Sequence, residues 1–205
     1  MSVAAIVLAA GRGTRFAGGP KMLAQLDGQP LVRHAVEAAM EGGAEPVIVV
    51  TGFAAEAVET ALAGLPVTIV RNADHAGGLS TSLRAGFAAL PSSAAAAAIL
   101  LGDMPRVSPA LVRRLLAAWH GAGRPAALVP TLDGRRGNPA VLSRALAPEI
   151  ADLHGDSGAG RLLRDRDDVV ELEVEDATVA EDVDTEAALA RLAAQASTTP
   201  CRIAE

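Results

Sequence analysis

Cysteine is nearly absent from this 205-residue chain, which has only Cys201, close to its C-terminus. One thiol allows no intrachain disulfide and no cysteine-based metal site. Aromatics are also scarce: Phe16, Phe53, Phe87 and Trp119, with no tyrosine. This removes the stacking platforms that hold single-stranded nucleic acid. The formal net charge is −6, which disfavours a DNA or RNA partner. No stretch approaches the roughly 18 apolar residues of a membrane span. The apolar start, Ser2–Ala10, is short, lacks a basic lead and runs straight into glycines, unlike a secretion signal. The expectation is a cytoplasmic protein with no membrane and no nucleic-acid partner.

Half of the residues (50%) are apolar, so a substantial core can be buried. Ala, Val and Leu dominate it, as suits helices packed closely on a parallel sheet. The length fits one α/β domain, placed over residues 1–195, with a frayed tail over 196–205.

The periodicity alternates strand and helix. Val3–Ala9, Pro46–Thr51, Pro66–Val70 and Ala96–Leu101 read as buried strands. Leu31–Met40, Ala54–Ala63, Leu79–Leu90 and Ser108–His120 read as helices, the last with Ser108 as N-cap and Pro109 at its first position. Ser92–Ala98 reads as loop leading into a strand. Ala126–Thr131 and Ala140–Leu142 flank the turn pair Asp133-Gly134 and suggest a hairpin or near-hairpin. Short helices follow at Leu146–Ile150 and Gly160–Arg164, then a strand at Val169–Val174 and a helix at Thr185–Ala194. The expected fold is a single-domain, Rossmann-like three-layer α/β sandwich. Its sheet is mostly parallel, with helices on both faces and a late antiparallel strand or hairpin.

Ligands of such a sheet bind beyond the carboxyl ends of the strands, and the glycines and polar residues concentrate there. After the first strand comes L-A-A-G-R-G-T-R-F-A-G-G-P-K, Leu8–Lys21. Gly11 and Gly13 permit a tight turn with backbone N–H groups facing a ligand. Arg12, Arg15 and Lys21 bring positive charge to the same place, which is the chemistry a triphosphate needs. A P-loop would require G-K-[ST], and a dinucleotide fingerprint would require glycine where Phe16 stands.

The segment resembles the signature L-A-[AG]-G-x-[GS]-x-R-[FM]-x…K of the MobA-like nucleotidyltransferase superfamily. The resemblance implies that Ala10, Gly11, Gly13, Arg15 and Lys21 bind the triphosphate, with Leu8 and Ala9 also at the nucleotide and with Arg15 and Lys21 catalytic. Asp103 follows a central strand in L-G-D-M-P, where a carboxylate is aimed at the ligand rim. In the resembling family that Asp is catalytic, contacts the nucleotide and binds Mg²⁺, which favours one or two protein carboxylates plus phosphate oxygens. Asp184 in D-V-D-T-E is the expected second metal ligand, with Asp182 as substitute. Each could instead be a helix cap or turn residue.

Three more segments are similar to the molybdenum cofactor cytidylyltransferase branch: Asn72–Gly86, Gly134–Pro139 and Gly155–Leu163. The pattern implies that Asn72, Gly78, Leu79, Ser80 and Ser82 line the base and ribose. Asn138, with Arg135 or Arg136, and Asp156 would face a pterin-type phosphomonoester. Arg161 stands one residue later than in relatives that read G-D-x-G-A-R. Ala10, where the guanylyltransferase branch has glycine, leaves less room for a purine and suits a pyrimidine. The implied reaction moves CMP from CTP to a molybdopterin-type phosphate and releases pyrophosphate. A molybdoenzyme receiving the cofactor is the implied partner. Alternatives on the same scaffold are GTP as donor, phospholactate-type or sugar-phosphate acceptors, and an NAD(P)-dependent oxidoreductase.

The remaining charges point elsewhere. Residues 165–186 hold eleven acids against Arg166 alone, a pattern expected of a solvated edge strand and helix face. His34, His75, His120 and His154 share no metal-ligand spacing, and none is assigned to catalysis.

Overall fold

The computed structural model describes residues 2–196. Strand β1 (Ser2–Ala9) runs through the middle of the molecule and is buried from Val3 onward. Its alternate side chains serve two different cores, as the period of a strand requires. Val3, Ala5, Val7 and Ala9 enter one cluster; Ala4, Ile6 and Leu8 enter the other.

The chain continues through β2 (Gln25–Leu26) and β3 (Gln29–Pro30), α1 (Leu31–Glu41), β4 (Val47–Thr51), α2 (Ala55–Ala61) and β5 (Thr68–Arg71). Then come α3 (Leu79–Ala88), β6 (Ala94–Leu101), α4 (Pro109–Gly121), β7 (Ala127–Leu132), β8 (Arg135–Arg136) and β9 (Ala140–Ser143). The last elements are α5 (Ala147–Ala151), α6 (Ala159–Leu162), β10 (Val169–Glu173) and α7 (Glu186–Ala196). The main sheet has the order β10-β7-β9-β6-β1-β4-β5, and β8 pairs with β7. Strands β6, β1, β4 and β5 are parallel neighbours, whereas β9 runs antiparallel to both β6 and β7.

Helices α1, α2 and α4 cover one face, through residues such as Val36, Val58, Leu115 and Trp119. Helix α3 covers the other with Leu83 and Phe87, joined by Ile150 of α5 and by Leu163. The expected three-layer sandwich is the architecture found. The Ser108 cap is also found: its Oγ accepts from Leu111 N at 3.1 Å, and Pro109 opens the helix.

One expectation needs correction. Strand β6 begins at Ala94, inside the Ser/Ala tract read as loop. Alanine favours strands weakly, but burial beside β1, with Ala96 and Ala97 opposite Val3 and Ala4, overrides propensity. The expected pairing of Ala126–Thr131 with Ala140–Leu142 is found, since β7 runs antiparallel to β9; the Asp133-Gly134 turn, with φ of 50° and 72°, closes the short β7–β8 pair inside that connection. Helix α7 runs to Ala196; residues 197–205, with Cys201 and most of the expected tail, lie outside the described residues. Among the described residues, no helix is long and apolar enough to cross a membrane.

Candidate active site

Strand β1 is followed by β4 and β5 on one side, and the chain then returns to lay β6 on the other. At that switch point the loops after β1 and β6 part and leave a crevice beyond the strand ends. A cavity of about 380 Å³ occupies it, with Leu8 and Leu101 in its floor.

The glycine-rich loop rises from β1 along one wall. Gly13 has φ +59°, and a Cβ there would stand 2.7 Å from Lys21 Cβ. Its left-handed conformation therefore lets the loop close over the lysine stem. Phe16 anchors the loop in a small third core with Leu26, Leu31, Val183 and Leu192. Pro20 then leads into a short 3-10 turn, Lys21–Leu23, that turns Lys21 inward. The lysine side chain is only 7% exposed.

Its ammonium meets two carboxylates from distant segments: Asp103 Oδ2 at 2.5 Å and Asp184 Oδ1 at 3.0 Å. Arg15, 72% exposed, reaches the other oxygen of Asp184 at 2.6 Å. Asp103 stands at the end of β6, where Gly102 N donates to Leu8 O at 3.0 Å. The late segment is held by buried Val183, whose N–H donates to Asp103 O at 2.9 Å. With Val183 in the core, Asp182 and Asp184 are both brought to Asp103. Carboxylate oxygens of Asp103, Asp182 and Asp184 all lie within 4.8 Å of one another.

Electrostatics follow from this packing. Burial alone would lower the Lys21 pKa, but the charge and hydrogen bond of Asp103, then those of Asp184, outweigh it and hold it above its ordinary value. Burial pushes Asp184 up, and the Lys21 hydrogen bond and charge, then Arg15, more than reverse this and hold it low. Asp182 is raised by burial and by the like charges of Asp184 and Asp103. Three clustered carboxylate oxygens suit a hard divalent cation. Asp103, Asp182 and Asp184 are the residues that could hold one.

The structure gathers most of the residues inferred from sequence. Leu8, Ala10, Gly11, Gly13, Lys21, Gly78, Leu79, Ser82 and Asp103 all line the cavity. Others lie elsewhere. Ala9 belongs to the opposite face of β1, in the core. Asn72 is buried and donates to Thr81 Oγ1 at 2.8 Å and Ser82 Oγ at 3.1 Å, so it braces the start of α3. Ser80 is fully buried, and its Oγ finds no protein partner. Asp156, inferred for the acceptor, lines this first cavity instead. Sequence reasoning left out His75, which packs against Gly52 and lines the cavity, and gave Asp182 only as a substitute. Neither has a motif spacing that singles it out.

A second cavity of about 210 Å³ adjoins the first through Leu8, Leu79 and Leu101. Its walls are apolar, from Leu83, Ile99, Val129 and Leu163, with Asn138 and Arg136 as the polar side chains. Arg135 lines neither cavity, so of the two neighbouring arginines only Arg136 is in place. Its guanidinium is already engaged by Glu171 Oε1 at 2.7 Å and Leu163 O at 2.6 Å.

The chain is similar to known proteins in sequence and in fold. The chain is 38% identical over 198 residues to a nicotine blue oxidoreductase of Paenarthrobacter nicotinovorans, covering 93% of this chain and 96% of that one. It is 37% identical over 165 residues to the bifunctional protein GlmU of Kineococcus radiotolerans; this covers 79% of the chain but only 30% of GlmU. Among solved structures, Rv0371c of Mycobacterium tuberculosis superposes with a TM-score of 0.80 at 31% identity, covering 95% of this chain and 99% of that one. The same mycobacterial protein is also known in complex with manganese. The model of the MobA-like NTP transferase domain matches residues 5–170, and the chain belongs to that family.

Proposed function

We propose that this protein is a nucleotidyltransferase of the molybdenum cofactor cytidylyltransferase type. It would transfer CMP from CTP to the phosphomonoester of a molybdopterin-type acceptor and release pyrophosphate. The observation that carries this reading is Lys21, held between Asp103 and Asp184 at the mouth of a glycine-rich loop. A cation, carboxylates and loop amides at one point match the charge of a triphosphate under attack.

An acceptor phosphate oxygen attacks the α-phosphorus in line, the bond to the β-phosphate oxygen breaks, and pyrophosphate departs. No protein base is required, because a phosphate monoester is already anionic near neutral pH. Lys21 and Arg15 stabilise charge building on the leaving group. The loop of Gly11 and Gly13 orients the phosphates, and the second cavity receives the acceptor beside Leu8 and Leu101. Mg²⁺, which we assign to Asp103 and Asp184 with Asp182 beside them, would neutralise the reacting phosphates when bound. The manganese complex of the mycobacterial relative supports a divalent metal.

Ala10 supports CTP over GTP. Ala10 lines the cavity, and its methyl group stands where a glycine would leave more room for a purine. We assign the whole of residues 1–195 to one catalytic domain, place the protein in the cytoplasm, and take a molybdoenzyme as the recipient of its product.

The Paenarthrobacter relative's name gives an oxidoreductase as the second reading, with the cavity holding a dinucleotide. Hydride transfer has no use for three carboxylates around a lysine, which favours the transferase. Pyrophosphate release from CTP, GTP and ATP, with and without a pterin phosphate, separates the two. CTP-dependent release that needs the acceptor is expected. NADH or NADPH oxidation without any pyrophosphate release would replace the transferase by the reductase. Within the transferase reading, Asp103→Asn should fold normally and lose transfer; near-normal turnover in that variant would remove Asp103 from the chemistry.

A further inference from the structure

Two basic side chains of the loop line the main cavity, Lys21 and Arg12. Their environments differ. Lys21 is committed to Asp103 and Asp184, and nearby Arg15 is committed to Asp184. Arg12 forms no ion pair among the described residues. Its guanidinium lies over the Phe53 ring, 5.4 Å from the centroid. Phe53 is itself fixed to the base of the loop, its N–H donating to Ala10 O at 3.1 Å.

The position of Arg12 is also informative. It lines the main cavity and the open recess on the outer side of the glycine-rich loop, with Phe16, Pro20 and Phe53. It does not line the second, apolar cavity. In an in-line displacement the attacking and leaving oxygens lie on opposite sides of the phosphorus. If the acceptor enters from the second cavity, the leaving group lies on the side that Arg12 occupies.

The charge balance points the same way. Lys21 and Arg15 together only partly offset the three carboxylates Asp103, Asp182 and Asp184. The protein cation in the cavity that no carboxylate has neutralised is the one free to meet an incoming polyanion.

On the nucleotidyl-transfer reading above, we infer that Arg12 grips the pyrophosphate end of the nucleotide, and that the Phe53 ring competes with that anion for its guanidinium. An exposed cation–π contact is weak, whereas a bidentate guanidinium–phosphate pair is among the stronger polar contacts. The anion therefore draws Arg12 off the ring, and after transfer the ring offers the guanidinium an alternative that eases product release.

The test is calorimetric binding of magnesium pyrophosphate, CTP and CMP to the full chain and to Arg12→Gln and Phe53→Leu. Arg12→Gln should weaken pyrophosphate and CTP by about 10- to 100-fold and leave CMP, which lacks the leaving phosphates, unchanged. Phe53→Leu should tighten pyrophosphate by about two- to fivefold. Equal weakening of CMP would move Arg12 to the α-phosphate or ribose and overturn the inference, as would unaltered pyrophosphate binding in Arg12→Gln. No gain in Phe53→Leu would overturn the competition. Failure of the unmodified protein to bind either CTP or pyrophosphate would instead remove the transferase reading itself.

Discussion

Lys21 Nζ lies 2.5 Å from Asp103 Oδ2, although 82 residues separate the two in sequence. The same ammonium reaches Asp184, 163 residues away. One buried cation thus ties the loop after β1 to the end of β6 and to the segment before α7.

Removing that cation should show both in stability and in chemistry. Lys21→Ala leaves Asp103 and Asp184 facing each other without a protein counter-charge between them. Breaking one partner of a buried pair costs about 3–5 kcal/mol, and residual exposure of both carboxylates places this case at the low end. A lowered Tm is expected in metal-free buffer, with Mn²⁺ restoring much of it through Asp103, Asp182 and Asp184. Turnover should still fall by about 2–4 kcal/mol of transition-state stabilisation, as for loss of one preorganised donor. An unchanged Tm, or one that Mn²⁺ does not raise, would contradict this account of the cluster.

The elements that could be read from sequence are those whose local pattern agrees with their tertiary setting. β1 and β4 are continuous apolar runs buried on both faces, and α4 carries its own cap. Ala94 and Ala95 could not be read as strand, because only pairing with β1 makes alanine extended there. The loop residues Gly13 and Lys21 were legible because conformational freedom and charge coincide within a few residues. Asn72 and Ser80 were not, because a motif does not say which way a polar side chain turns. Asn72 turns to Thr81 and Ser82, and Ser80 turns into the interior. The part played by Asp182 depends on Val183 being drawn into a core with Phe16, a long-range contact with no local signature.

Gly78 joins the start of α3 to the loop at Gly155. It has φ +97°, and a Cβ there would stand 2.4 Å from the Gly155 carbonyl carbon and oxygen. Backbone cannot step aside as a side-chain end can. Gly78→Ala should therefore cost about 1–3 kcal/mol in strain, displace Gly155 and Asp156 from the cavity wall, and weaken CTP binding. Gly160→Ala is the matched control, since nothing lies within 4 Å of its added Cβ. Comparable losses in both variants, by denaturant midpoint and CTP affinity, would rule out the specific seam.

The close approach of α3 to the sheet depends on another glycine. A Cβ at Gly86 would meet Ile6 Cγ2 at 2.5 Å and Val50 Cγ2 at 3.2 Å. Gly86→Val should overpack this layer by about 1–3 kcal/mol. Gly121→Ala, in the last turn of α4 with open space around it, should gain up to about 1 kcal/mol from helix propensity. Chemical denaturation reads both, and a stable Gly86→Val protein would show that the layers can spread.

Asn138 offers a side-chain amide to the second cavity, and that amide makes no hydrogen bond among the described residues. The neighbouring guanidinium of Arg136 is held by Glu171 and Leu163 O, so it is not free to bind an acceptor anion. If the acceptor lies in this cavity, Asn138→Ala removes its polar anchor and leaves the nucleotide wall intact. The acceptor KM should rise about tenfold, as for one lost hydrogen bond of roughly 1–1.5 kcal/mol, while the CTP KM stays constant. Arg135→Ala should change neither constant, because that side chain faces neither cavity. An acceptor KM that responds to Arg135→Ala and not to Asn138→Ala would move the acceptor out of the apolar recess and onto the exposed β7–β8 hairpin.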